Sequence, residues 1–261
     1  MVVKRTNPSL HLSRTPLIYV VTQVRFSAVM SIEKYVPEIQ EKLRKKYPWF
    51  QHSKVQEVLL QSPGPPSVGF NDRFEFLGRE KQTGIVLTRN SIALHTNKYS
   101  NFEHFQDEFG EALAAVHDSV GLGLVERLGL RYVDLVRLGQ GESWSDYFQR
   151  ELLGLDPSVV GVSQWNSQFG SIGKTDVGTL VFRFIQSESP LPPDLTPGAL
   201  HYEKELLRPG EVGTILDFDH YSDANGEFEL DSVMGSIGDL HDNLDRAFRS
   251  AVTKSALGKW E

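Results

Sequence analysis

The chain contains no cysteine. Disulfides, thiolate zinc sites, iron–sulfur clusters and cysteine nucleophiles are therefore excluded together, which fits a reducing cytoplasm. It also lacks any long apolar run. Stretches such as Leu17 to Val21 have the length of a strand, far below the ~20 residues that cross a bilayer. The N-terminus carries Pro8, His11 and Arg14 where an export signal needs an uninterrupted apolar segment, so no signal peptide and no membrane contact are expected.

Self-announcing catalytic motifs are missing too. There is no Gly-x-Ser-x-Gly elbow, no His-Glu-x-x-His and no calcium-binding loop of the EF-hand kind. Gly173-Lys174-Thr175 has the form of a phosphate-loop ending, but the first glycine of that pattern falls on Gln168. A hairpin turn shaped by Gly170 and Gly173 explains it better. Gly139-Gln140-Gly141 is followed by Trp144 where a dinucleotide-binding turn needs its third glycine. No cofactor is implied, and the eight histidines are scattered with no metal-ligand spacing.

What is present is an ordinary globular composition. The 261 residues are 39% hydrophobic and 23% charged, enough for a sizeable core. The net charge of −7 disfavours nucleic acid as the main partner, because that binding relies on Lys and Arg to displace counterions. The charge is unevenly spread. Between Glu211 and Asp245 ten acidic residues occur with no Lys or Arg, whereas Met30 to Lys54 holds six basic and three acidic residues.

Periodicity predicts an α+β fold, mainly antiparallel sheet packed by helices. After an N-terminal arm (1–16), Leu17 to Phe26 alternates as a strand. Ile32, Tyr35, Val36, Ile39, Leu43 and Tyr47 then recur at helical spacing, with Ser31 as the expected cap and Pro48 as the stop. Strands are expected at Val55 to Gln61, Arg73 to Glu80 and Gly84 to Thr96. An amphipathic helix from Asn101 ends at Gly121. The order then recurs: a strand at Leu124 to Leu138, a short helix at Ser143 to Leu153, strands near Val160 to Phe169, Val177 to Ser187 and Gly213 to Tyr221, and one long C-terminal helix carrying Val233, Ile237, Leu240, Leu244, Phe248 and Val252. Residues 17–121 and 122–261 thus read as two βαβββα-like halves. The second includes a Pro-rich loop, 187–211, with Pro190, Pro192, Pro193, Pro197 and Pro209, long enough to be a candidate contact surface.

Arginines inside apolar strands are the main chemical signal: Arg25, Arg131 and Arg183. Each must face water, pair with a carboxylate or bind an anion, since burying it alone costs several kcal/mol. Asp134, Asp217 and Asp219 lie on comparable strands, and Asp217 and Asp219 share a face because side chains alternate. The plainer outcome is a structural ion-pair network. The sharper one is a groove binding a nucleotide or phosphate ester, with Arg25, Arg131 and Arg183 as clamps beside Asp217 and Asp219. Asp217-Phe218-Asp219-His220 could also hold a proton or a cation, although one Asp-x-Asp is usually exposed or salt-bridged. A different surface is the basic face of the first helix, Lys42, Arg44, Lys45 and Lys46, expected either to be solvated or to contact nucleic acid or an acidic protein partner.

Three segments, taken in order, resemble an uncharacterised, sporadically distributed bacterial protein family of about this length. They are Pro16-Leu-Ile-Tyr-Val-Val-Thr-Gln-Val-Arg-Phe26, Arg127-Leu-Gly-Leu-Arg-Tyr-Val-Asp134, and Leu240-His-x-x-Leu-Asp-Arg-Ala-Phe248 with Val252-Thr253. The resemblance spans nearly the whole chain and carries no catalytic residue. It implies an accessory component of a bacterial defence or mobile-element locus, and the missing catalytic motifs with the separated charge make a non-enzymatic binding or adaptor module the leading expectation. The sensor or enzyme for a small anion stands as the alternative.

Overall fold

The computed structural model of the chain describes residues 12–59, 67–155, 157–162, 165–195, 200–202 and 205–261. The breaker Ser62 to Pro66 and part of the Pro-rich loop lie outside the described residues. The fold is α+β, as the periodicity predicts: a nine-stranded antiparallel sheet with helices across one face.

The strands are β1 (Leu17–Phe26), β2 (Trp49–Leu59), β3 (Ser67–Leu77), β4 (Thr83–Thr88), β5 (Ser91–Thr96), β6 (Leu124–Val136), β7 (Gln168–Lys174), β8 (Thr179–Ser187) and β9 (Gly213–Glu227). Their order across the sheet is β2-β3-β4-β5-β1-β6-β9-β8-β7. Each half follows the same path. Its first strand lies at the centre; the chain then crosses to the outer edge and meanders back until it pairs with that strand. The two central strands, β1 and β6, pair antiparallel, so the halves are related by an approximate two-fold axis between them. The first half has four meandering strands and the second three.

The helices are α1 (Val36–Leu43), α2 (Phe102–Val120), α3 (Pro157–Val160), α4 (Leu230–Ala251) and α5 (Lys254–Trp260). Helix α2 forms where its spacing predicts. The Asn101 side chain accepts from the His104 backbone N–H at 2.8 Å, Gly121 ends the helix at φ 72°, and Phe102, Phe105, Phe109, Leu113 and Val116 point into the core. On β1, Val20, Thr22, Val24 and Phe26 meet the helices while Val21, Gln23 and Arg25 face away. One hydrophobic cluster joins both halves, from Val24 and Phe76 to Phe218 and Leu240.

Several boundaries differ from the periodicity. The first helix begins at Val36 rather than after Ser31, whose side chain makes no capping bond. Pro37 lacks an N–H and fits the first turn of a helix, so residues 32–34 form only a 3₁₀ turn. Two 3₁₀ turns replace the helix expected at Ser143 to Leu153, and the strand expected from Val160 starts at Gln168. The C-terminal helix is two helices. Val252 is extended because the chain here pairs with residues 147–149: Thr253 N–H donates to the Tyr147 carbonyl at 2.9 Å and Gln149 N–H to that of Ala251 at 3.0 Å. The Thr253 hydroxyl then caps α5 by accepting from the Ala256 N–H.

Among the described residues the opposite face of the sheet carries no helix. Part of it is covered by the Pro-rich segment, where Leu200 and Leu207 pack on Tyr19, Leu77, Val133 and Ile215. That segment is pinned by His201, whose N–H donates to the Lys81 carbonyl at 2.7 Å and whose carbonyl accepts from the Asn97 amide at 2.8 Å. Among the described residues no helix is long and apolar enough to cross a membrane.

Candidate functional site

Strand alternation and register put the candidate residues on the helix-free face. Val21, Gln23 and Arg25 of β1 lie opposite Arg131, Gly129 and Arg127 of β6. Across the next pair, Arg131 faces Asp219 and Gly129 faces Tyr221 of β9, and Arg183 of β8 faces Asp217. Arg25, Arg131, Arg183, Asp217 and Asp219 therefore share one surface. Asp134 does not join them: three residues after Arg131, it emerges on the helix side. The expectation that it serves the arginines is corrected by strand parity. His220 is likewise on the helix side, buried, with its ring nitrogens near the Thr175 hydroxyl at 2.9 Å and the Leu240 carbonyl at 3.2 Å.

The shared surface has two zones. In the first, the fully buried Asp217 carboxylate accepts from Arg131 Nε at 2.7 Å and Nη2 at 2.8 Å, and from Arg183 Nη1 at 2.7 Å. Asp194, from the Pro-rich segment, closes over both guanidinium groups, 3.1 Å from Arg131 and 3.4 Å from Arg183. Burial disfavours the Arg131 charge, but its bonds to Asp217 and Asp194 more than offset this and hold its proton more tightly than usual. Asp194 is partly desolvated, yet the same arginines hold its pKa below the ordinary value. This zone is the structural network that the plainer reading expects.

The second zone is open. A cavity of about 310 Å³ is lined by Arg25, Gln23, Arg127, Gly129, Asp219 and Tyr221, among others. Arg25 and Arg127 are cross-strand partners. Neither has a carboxylate within 4 Å among the described residues. The Arg127 guanidinium carbon lies 3.6 Å from the centre of the Tyr221 ring, which fixes its plane by cation–π attraction. Gly129 leaves the floor between them free of side chain. Asp219 sits at the edge, its carboxyl pushed up mainly by burial against the pull of Arg131. Arg127 and Tyr221 are not singled out by the sequence. Their signal is register: Arg127 lies four residues before Arg131, an even spacing that puts both on one strand face, and it falls beside Arg25 only once β1 and β6 are paired.

The basic face of α1 is largely matched by its own neighbours. Lys42 pairs with Glu38 at 3.1 Å, Arg44 with Glu41 at 2.6 Å, and Lys46 with Glu111 at 3.1 Å and Glu108 at 3.4 Å. Gly173 and Lys174 end β7 in the hairpin to β8, with Lys174 Nζ donating to the Thr179 hydroxyl at 2.6 Å. Among the described residues no group of three or more His, Asp or Glu side chains is placed to hold a metal ion. Compared with known proteins, the chain matches no family model, and no curated protein matches it.

Proposed function

We propose that the protein binds a small anionic ligand, a nucleotide or phosphate ester, on the helix-free face between Arg25 and Arg127. The observation that carries this reading is the direct opposition of two arginines across β1 and β6 without a carboxylate between them. Like charges at directly opposed positions destabilise a sheet, and an anion bridging the two guanidinium groups reverses the sign of that interaction. The Tyr221 ring holds Arg127 in place, and Gln23 offers an amide to a ligand oxygen or base edge.

The adaptor role for the first helix has less support, since Lys42, Arg44 and Lys46 already have carboxylate partners. Titration calorimetry with inorganic phosphate and adenosine monophosphate tests the proposal. Saturable binding that weakens with salt and is lost in Arg25→Ala and Arg127→Ala is expected. Binding that survives both substitutions, or is absent for both probes, overturns it.

A further inference from the structure

A second cavity lies on the other side of the sheet, beneath α4. Its volume is about 320 Å³, within the range of small-molecule sites. Leu17 of β1, Phe218 of β9, and Leu244 and Phe248 of α4 give it apolar walls. Its polar end is built by Asp134 and Tyr132 of β6, Tyr99, and His241 and Asp245 of α4.

Asp134 is the residue that needs explaining. It is 4% exposed, yet among the described residues no hydrogen bond or ion pair reaches its carboxyl group. A buried carboxyl without a partner costs stability, and this one lines a cavity instead of being packed over. The groups around it narrow the ligand. The Tyr132 hydroxyl meets His241 Nδ1 at 3.0 Å, and His241 stacks on Phe102 with ring centres 3.8 Å apart. Tyr99 and Tyr132 stand edge to face. The second carboxylate, Asp245, is held by Arg249 at 2.8 Å. Among the described residues the lining includes no Lys or Arg.

We propose that this cavity binds a small organic amine, with the ammonium group on the Asp134 carboxylate and the apolar body between Leu17, Phe218, Leu244 and Phe248. Among the described residues an anion would meet two carboxyl groups and no Lys or Arg. A neutral apolar molecule would leave Asp134 unpaired. A cation supplies the missing partner, and the Tyr99 and Tyr132 rings around it are the surroundings in which ammonium groups gain cation–π attraction. This site is separate from the arginine zone, which lies on the other face of the sheet.

The test uses the full chain with benzylamine and its N-trimethyl analogue as probes, and benzyl alcohol as the uncharged control, followed by titration calorimetry. Saturable binding of at least one cation is expected at pH 8, with benzyl alcohol at least about tenfold weaker and Asp134→Asn reducing cation affinity by about tenfold or more. Burial pushes the Asp134 carboxyl up to about 8, so binding a cation below that pH releases a proton. Affinity then rises by up to about tenfold per pH unit between pH 6 and pH 7. Circular dichroism of Asp134→Asn checks that the variant is folded. The proposal is overturned if neither cation binds the folded wild-type chain, if benzyl alcohol binds equally well, or if Asp134→Asn leaves cation affinity unchanged. Phosphate binding at Arg25 and Arg127 is unaffected by Asp134→Asn, so this proposal and the anion site fail independently.

Discussion

Arg131 grips Asp217 through two parallel hydrogen bonds, Nε to Oδ1 at 2.7 Å and Nη2 to Oδ2 at 2.8 Å. Asp217 exposes none of its side chain and Arg131 only 11%, so solvent screens this pair little. Breaking a buried pair from one side leaves an uncompensated charge. Asp217→Ala leaves two such charges, Arg131 and Arg183, with only the half-exposed Asp194 between them. Urea denaturation should show a loss of about 3–5 kcal/mol, and Arg183→Ala a smaller loss, because Arg183 is one-third exposed. A loss below about 1 kcal/mol for Asp217→Ala would mean that Asp194 alone suffices to hold both arginines.

The sequence signals this network through composition. An arginine between apolar neighbours in a strand demands a partner, and alternation puts Asp217 and Asp219 on one face. Alternation alone does not say which strands are adjacent. Arg127 gains its meaning only when β6 lies beside β1, a pairing between strands separated by the whole first half of the chain. Asp134 was open to misassignment for a related reason: its strand carries polar groups on both faces, and parity relative to Arg131 decides which one it serves. The break at Val252 was hidden because the helical apolar stripe continues through it, and only backbone pairing with residues 147–149 interrupts the helix.

Asp134 makes stability depend on pH in a defined direction. Its folded pKa, about 8, lies above the ordinary value of 3.8. The folded chain therefore holds the proton more tightly than the unfolded chain. The stabilisation is fully present below pH 3.8 and is lost as pH rises through about 8. Asp134→Asn keeps the shape and removes the charge. Thermal denaturation should find it more stable than wild type at pH 8, by on the order of a few kcal/mol, with the difference narrowing towards pH 4.

His95 acts with the opposite sign. It is buried, its Nδ1 is 3.2 Å from the Tyr19 hydroxyl, and among the described residues its Nε2 has no hydrogen-bond partner. Burial, with Arg73 nearby, pushes its pKa down to about 4 from 6.5. The unfolded chain takes up this proton first, so stability present above pH 6.5 is lost as pH falls through about 4. His95→Gln should flatten the stability profile between pH 6.5 and pH 4, measured by urea denaturation at several pH values. An unchanged slope would assign the acid sensitivity to other groups.

Gly178 tests the hairpin between β7 and β8. A Cβ at this position would lie 2.1 Å from the Tyr221 carbonyl oxygen and 2.8 Å from its carbonyl carbon. Both are backbone atoms of β9 that cannot swing aside. Gly178→Ala should therefore cost about 1–3 kcal/mol, whereas Gly173→Ala, with nothing within 4 Å of its added carbon, should cost far less. Equal effects would show that the β8–β9 pairing yields at this end.

Arg25→Glu separates the demands of folding from those of ligand binding at the anion site. Arg25 is exposed and lies directly opposite Arg127, so the substitution turns a repulsive cross-strand pair into an attractive one. It leaves the contact between Arg127 and Tyr221 in place. Stability should rise by about 0.2–1 kcal/mol, and the gain should shrink at high salt, as for any exposed charge pair. Phosphate and adenosine monophosphate binding should disappear in the same variant, because a carboxylate then occupies the place of the anion. A residue that costs stability while serving a site shows both changes at once. If Arg25→Glu stabilises the fold and leaves binding intact, the ligand does not sit between these arginines; if it destabilises the fold, the two side chains do not repel each other in solution.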